Sequence, residues 1–371
     1  MSGLRHLFEV PGPGPYLLSH SVGCLPAASR SRFERDLFGP WAEKGSDGWP
    51  DWLAAIDAFG AALARLLGVE PREICPQPSV SAALTSLLSG LPRERGRDVL
   101  LASAHSFPSI GFALGQFERM GYRLELIAEE EMPSLPETWT QRIDGRVAAV
   151  VAMHVHSNSG RVAPLAEIAG AARSAGALAV ADICQSAGVL PIALRETGVD
   201  AAIGSCVKWL CGGPGAGFLW LRGERIGEFA PLGVGWFSHD QPFEFDIRDF
   251  RYAQDAKRFW GGTPSIAPYV LATSGIETIA GIGVEAILAH NRALVETIGA
   301  AAGIELDMSD RGGTLCLRTD DVDAAAAALA EHGCRFDRRA NVLRLSPHVH
   351  NDEREAEMVG DALRGRDAAL V

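Results

Sequence analysis

No stretch of this 371-residue chain is apolar for long enough to cross a bilayer as a helix. Its opening, MSGLRHLFEVPGPGPYLL, has neither the apolar centre nor the small-residue cleavage site of a secretory signal. An excess of positive charge is also missing. Thirty-four lysines and arginines stand against 46 aspartates and glutamates, a net charge of −12. That balance disfavours a general binder of nucleic acid or of an anionic membrane. The seven cysteines (Cys24, Cys75, Cys184, Cys206, Cys211, Cys316 and Cys334) are odd in number and nowhere spaced as CxxC. They read as reduced thiols in the core or near a site, not as a disulfide framework. There is no Walker loop and no internal repeat, and Gly281-x-Gly283 lacks the third glycine of a dinucleotide fingerprint. These absences point to a cytoplasmic protein whose partners are small molecules, with no nucleic acid and no membrane among them.

What is present is an ordinary globular composition, 47% apolar and 22% charged, with enough chain for one large or two medium domains. The first fifty residues are rich in Pro, Gly and Ser and read as an irregular arm, residues 1–50. Helical apolar spacing runs from Trp52 to Leu67. Short apolar runs then alternate with helices: Val99 to Ala102, Arg123 to Ile127, Val147 to Val155, Ala177 to Ile183, Ala201 to Gly204 and Gly217 to Leu221 as strands, with a helix over Pro164 to Ser174. Alternation of this kind specifies an α/β domain with a mostly parallel sheet, expected over residues 51–265. An aromatic, polar stretch from Trp236 to Gly262 interrupts it. Two long helices follow, Ile266 to Ala280 and Val284 to Ala302. A strand, helix, strand, helix tail completes a small C-terminal α+β domain, the linking helices and tail covering residues 266–371.

Ligands of parallel sheets bind beyond the carboxyl ends of the strands. Asp182 sits at such an end, in VADICQSAG. Lys208 follows the next strand, in GSCVKWLCGGPGAG. A lysine in a tight, glycine-rich apolar loop is costly to bury charged, so it tends toward a neutral nucleophile. Paired with a strand-end aspartate, it meets the needs of pyridoxal phosphate (PLP). The lysine forms the Schiff base, and the carboxylate keeps the ring nitrogen protonated so that the ring can accept electrons. Ser79 starts the helix after Pro78, and a helix start of that kind offers free N–H groups to a phosphate. Phe107 and His105, just beyond the strand VLLA, are placed to stack on a cofactor ring.

Together these residues resemble the class V branch of fold-type I PLP enzymes. That branch holds cysteine desulfurases, selenocysteine lyases, aminotransferases and kynureninase. Five segments bring the chain nearest to kynureninase: Phe107-Pro108-Ser109, Lys208 through Gly215, Gly235-Trp236-Phe237-Ser238-His239, Asp337-x-Arg339, and Arg344 through Asn351. The resemblance implies the PLP fold-type I: a large domain with a mostly parallel central sheet, plus a small C-terminal α+β domain, working as a homodimer with its active site at the interface. It implies Lys208 as the Schiff-base lysine, Asp182 at the ring nitrogen, Gln185 near the phenolic oxygen and Phe107 on the ring. Ser79, Val80, Ser205 and Trp236 would hold the phosphate, with Thr263 reaching it across the dimer. Arg344 would clamp the substrate α-carboxylate. The implied reaction is hydrolytic Cβ–Cγ cleavage of an α-amino acid, releasing alanine. A class V transaminase and a Cβ–S or Cβ–Se lyase remain open.

The chain departs from kynureninase in four places. Val207 replaces the tyrosine before the lysine, and Gln185 replaces a histidine. Thr263-Pro264-Ser265 stands for Asn-Pro-Pro, and Trp49 replaces a histidine near the aromatic substrate. Two weaker signals are the pairs His154-x-His156 and His348-x-His350, each expected on one face of a strand. Neither has an evident third ligand, so no metal is expected and the imidazoles read as polar lining of the cofactor pocket. Cys334, Cys206 and Cys211 read as packing thiols.

Overall fold

The computed structural model describes residues 3–371. Its central sheet has seven strands: β1 (Ile74–Gln77), β2 (Val99–Ser103), β3 (Arg123–Ile127), β4 (Val147–Met153), β5 (Leu178–Asp182), β6 (Ala201–Ser205) and β7 (Gly217–Leu221). The spatial order is β1-β7-β6-β5-β4-β2-β3, parallel from β6 to β3. Strand β7 runs antiparallel to both β1 and β6.

The continuous apolar runs reflect burial on both faces. Val150 and Ala152 face a layer made by α1 (Trp49–Leu67), α4 (Leu165–Ala175) and α5 (Ala267–Ile282), through Phe59, Ile168 and Tyr269. Ala149 and Val151 face α2 (Val80–Ser89) and α3 (Pro108–Gln116), through Leu84 and Ile110. A register shift against β2 lies between Val99 and Leu100.

Helix α6 (Val284–Ala302) leads to a four-stranded antiparallel sheet of β8 (Leu315–Thr319), β9 (Asp337–Arg339), β10 (Val342–Leu345) and β11 (Ala368–Leu370). Helices α7 (Val322–Glu331) and α8 (Glu353–Leu363) cover it with α6, burying Val295, Ile298, Leu317, Leu329 and Val359 in one cluster.

The expectation of an irregular arm fails over part of its length. Ser29–Phe33, Glu34–Phe38 and Gly39–Lys44 are consecutive helical turns that lead toward α1. Pro40 and Pro50 occupy first-turn positions, where the missing N–H breaks no helical bond. Before them, Arg5–Leu7 form a 3-10 turn and Phe8–Glu9 pairs antiparallel with Leu25–Pro26. Leu17 donates to the Arg335 carbonyl at 2.8 Å and accepts from the Ser346 N–H at 2.9 Å, which lays the arm along the small sheet. Gly23 then donates to the Val207 carbonyl at 2.8 Å. A Cβ on Gly23 would stand 2.2 Å from the Lys208 carbonyl oxygen, so only glycine allows this approach.

The histidine pairs are not on strands. β4 ends at Met153 and β10 at Leu345, so His154, His156, His348 and His350 all lie in the turns beyond. All seven cysteines are free and buried. Among the described residues no single helix is long and apolar enough to cross a membrane. The pair α5 and α6 is apolar enough only jointly, and it bends by 77°.

Candidate active site

Strands β2, β4, β5 and β6 are neighbours, so the loops after Ser103, Met153, Asp182 and Ser205 open side by side at one sheet edge. Asp182 is only 4% exposed. Its Oδ1 accepts the Cys184 N–H at 2.9 Å, and its carbonyl accepts the His154 N–H at 2.9 Å. Burial, then the Asp182 charge, pushes the Cys184 thiol well above its usual range.

Lys208 projects from a tight loop. The Cys206 N–H donates to Ala216, Gly212 to Cys206 and Cys211 to the Lys208 carbonyl, at 2.8, 2.7 and 2.9 Å. Cys211 takes a left-handed φ of 53°, unusual without glycine. Lys208 Nζ has no carboxylate within ion-pair distance among the described residues, and it stands 5.7 Å from the centroid of the Phe107 ring. Phe107 caps the start of α3 and is fixed by its own N–H, which donates to Met153 Sδ at 3.0 Å.

At the other corner, Ser79 caps α2, its Oγ accepting the Ala82 N–H at 3.1 Å. The Val80 and Ser81 amides of the first turn have no helical acceptor and are available to an anion. Ser205 pairs with Gly217 across β6 and β7. A Cβ on Gly217 would lie 3.0 Å from Ser79 Cα, so glycine brings Ser205 and the α2 start to one corner.

Gln185 is held at both ends. Its Nε2 donates to the His20 carbonyl at 3.1 Å, and its Oε1 accepts from the Trp209 indole at 3.3 Å.

Arg344 lies on β10, only 3% exposed. Its Nη1 donates to the Ser157 carbonyl at 2.9 Å and its Nη2 pairs with Asp337, while its buried Nε has no partner. His20 reaches the same carboxylate at 3.4 Å and Ser346 Oγ at 2.7 Å. Burial, then the positive charges of Arg344, Lys208 and Arg339, holds its imidazole neutral, well below the ordinary value.

Trp236 and Thr263 stand apart from this group. The Trp236 indole donates to Thr263 Oγ1 at 3.2 Å, and the ring packs among Trp49, Phe237, Phe243 and Phe245. Neither residue hydrogen-bonds or stacks with Lys208, Asp182 or Phe107 of its own chain among the described residues.

Two residues near the site, Arg339 and His20, went unassigned in the sequence, and His156 was read there only as lining of the cofactor pocket. Arg339, inside the quoted Asp337-x-Arg339 segment, places its guanidinium carbon 5.8 Å from the Phe107 centroid and donates to Asn158 Oδ1 at 2.9 Å. His156 is buried with neither ring nitrogen bonded, and burial pushes it down to about 4. Its place in an HxH pair was its only signal. Nothing local marks His20.

These donors fit PLP. A strand-end carboxylate, an amine without a carboxylate partner beside an aromatic ring, and two free helix-start amides supply the ring, aldehyde and phosphate contacts the cofactor needs. A buried imidazole and a buried guanidinium nitrogen left without partners mark a place where a ligand's polar groups are wanted.

The comparisons agree with this chemistry. Residues 61–330 match the family model aminotransferase class-V. The chain belongs to that family, whose enzymes use pyridoxal phosphate. It is 28% identical over 368 residues to the uncharacterized aminotransferase YcbU of Bacillus subtilis (strain 168), covering 98% of this chain and 97% of that protein. It is 29% identical over 302 residues to the kynureninase of Deinococcus radiodurans, covering 79% and 72%. Among solved structures it is similar to a lysine-to-alanine mutant of C-DES with glycine covalently linked to the PLP cofactor. That match has a TM-score of 0.86 and 22% identity over 98% and 99% of the two chains. The apo cysteine desulfurase of Thermococcus onnurineus NA1 gives a TM-score of 0.80 at 19% identity over 94% and 93%. The fold is the PLP fold-type I.

Proposed function

We propose that this chain is a PLP-dependent enzyme acting on a free α-amino acid, and that it cleaves Cβ–Cγ hydrolytically in the manner of kynureninase. The observation that carries the reading is the placement of Lys208, unpaired beside Phe107, at the same sheet edge as buried Asp182. Bound PLP supplies an electron sink for the charge left at Cα. Asp182 holds the proton on the ring nitrogen. Lys208 removes the Cα proton and returns one to the product. The Val80 and Ser81 amides and Ser205 hold the phosphate. Arg344 orients the α-carboxylate. Water adds to the γ-carbonyl and Cβ–Cγ breaks, so the substrate's acyl group leaves as an acid and its remaining three carbons leave as alanine.

The Cβ–S lyase alternative is weakened in its desulfurase form, which needs a mobile sulfur-accepting thiol. Cys334, ahead of Arg344, is buried, and burial pushes it up to about 11. A transaminase remains the second reading, since Lys208 could return the proton to the cofactor instead. Free thiols throughout suit the reducing cytoplasm.

The working unit in this reading is a homodimer. Phe245 and Ile247, 73% and 97% exposed beside Trp236, form an apolar surface suited to a second copy. That copy would bring Thr263 to its partner's phosphate. Incubation of the PLP-loaded protein with candidate amino acids, following alanine and keto-acid formation, tests the reading. Alanine with a carboxylic acid supports hydrolysis. A keto acid that appears only with an amino acceptor would replace it with transamination.

A further inference from the structure

Gln185 sits between two groups that leave no choice in which way its amide points. The residue is only 4% exposed. An indole N–H can only donate, and a peptide carbonyl can only accept. The atom 3.3 Å from the Trp209 indole nitrogen is therefore Oε1, and the atom 3.1 Å from the His20 carbonyl oxygen is Nε2. Turning the amide over would set N–H against N–H and oxygen against oxygen among buried groups, which is costly.

Trp209 can impose this orientation because the indole is itself fixed. It is completely buried, and its ring lies against His348 with centroids 5.7 Å apart. A Cβ on Gly313 would come within 2.7 Å of indole Cη2, so the ring fills its space. Trp209 follows Lys208 directly, and one loop therefore carries both the lysine and the indole. Of the two hydrogens on Gln185 Nε2, the His20 carbonyl takes one. The other has no acceptor among the described residues. A buried N–H left in that state calls for an oxygen.

We infer that Trp209 is a positioning residue: by fixing the Gln185 amide it presents an N–H, not a carbonyl, to the phenolic oxygen of bound PLP. This rests on the PLP reading above and on the place of Gln185 in it. A donor at that oxygen stabilises its negative charge. The proton that the oxygen shares with the lysine nitrogen is then held less tightly and leaves at lower pH. An amide does not titrate, so this contact is the same at every working pH, which a histidine in its place would not ensure.

The test titrates the visible band of the PLP-loaded protein across the pH range in which the folded protein holds its cofactor. Gln185→Met removes the donor and is expected to move the colour change to higher pH by about one pH unit. Trp209→Phe keeps a buried ring but releases the amide, and is expected to move it the same way by less, since the His20 carbonyl still holds one hydrogen. In the double variant the colour change is expected where Gln185→Met alone puts it, because an indole with no amide to hold positions nothing. Loss of packing alone would not give that pattern. Gln185→Glu tests the orientation with Trp209 intact. Its carboxyl must give its one proton to the His20 carbonyl, so it is expected to match Gln185→Met. No movement in Gln185→Met, a wild-type response in Gln185→Glu, or a Trp209→Phe shift that adds in full to that of Gln185→Met would overturn the inference while the PLP reading stands. Failure of the wild type to take up PLP would remove the reading itself.

Discussion

Lys208 Nζ stands 5.7 Å from the Phe107 ring centroid, and no carboxylate lies within ion-pair reach of it among the described residues. The chain has only two other lysines, and each is paired: Lys44 with Asp51 and Lys257 with Asp57. Borohydride reduction of the yellow, PLP-loaded protein should therefore fix the cofactor on Lys208 alone, read by peptide mass. Lys208→Ala should lower turnover by about 10²- to 10⁴-fold, the usual contribution of a positioned proton-transfer group. A label on another lysine would remove Lys208 from the centre of the chemistry.

Arg344→Ala should raise KM for every α-amino acid by about tenfold or more while leaving the cofactor spectrum intact. It should also cost roughly 3 kcal/mol of stability, because Asp337 loses the partner buried against it. Denaturant midpoints and Michaelis curves separate the two effects. An unchanged KM would show that another group holds the carboxylate.

The exposed patch gives a size prediction. Ile247→Asp with Phe245→Asp should turn a dimer into a monomer that retains PLP poorly, since Thr263 would no longer reach a partner. Light scattering and cofactor absorbance read both outcomes. A wild-type monomer with bound, active cofactor would refute the interface.

L-kynurenine should be a poor substrate, with turnover well under the median enzyme rate of about 10 per second. Val207 has no hydroxyl to relay a proton. Trp49 packs edge-on against Trp236 with centroids 6.0 Å apart, so indole fills space near the aromatic patch. Turnover of kynurenine at the median rate would restore the plain kynureninase assignment.

Burial holds His154, His156 and His350 each at about 4 in the folded state. An unfolded histidine titrates near 6.5. Between these values the unfolded chain binds more protons, so stability is full above about pH 6.5 and is lost as pH falls toward 4. The slope is up to roughly 1.4 kcal/mol per pH unit for each group. Denaturation midpoints at pH 7, 6 and 5 should fall in that order, and His156→Gln should flatten the decline.

Much of this was legible in the chain because parallel strands buried on both faces are written as unbroken apolar runs. β1 escaped because Pro76 interrupts its four residues, as an edge strand permits. β9 escaped because Asp337, Arg338 and Arg339 are all charged. Asp182 and Lys208 were visible because strand ends mark the ligand edge. His20, Asn158 and the sharing of Asp337 were not, since each depends on contacts between segments far apart in sequence. The helical turns after Ser29 were hidden by prolines that sit at permitted first-turn positions.

The brace under Lys208 also sets an order of assembly. Gly23 backs the lysine loop, yet the segment that carries Gly23 is anchored at Leu17 by Arg335 and Ser346. Those partners lie roughly 300 residues further along the chain. Contacts this distant in sequence form late and slowly. The large sheet can close around Asp182 while the chain is still being made, but the wall behind the lysine waits for the small sheet that carries Arg335 and Ser346. A nascent or C-terminally shortened chain is therefore expected to carry the chemical groups for cofactor capture without the support that keeps them in place.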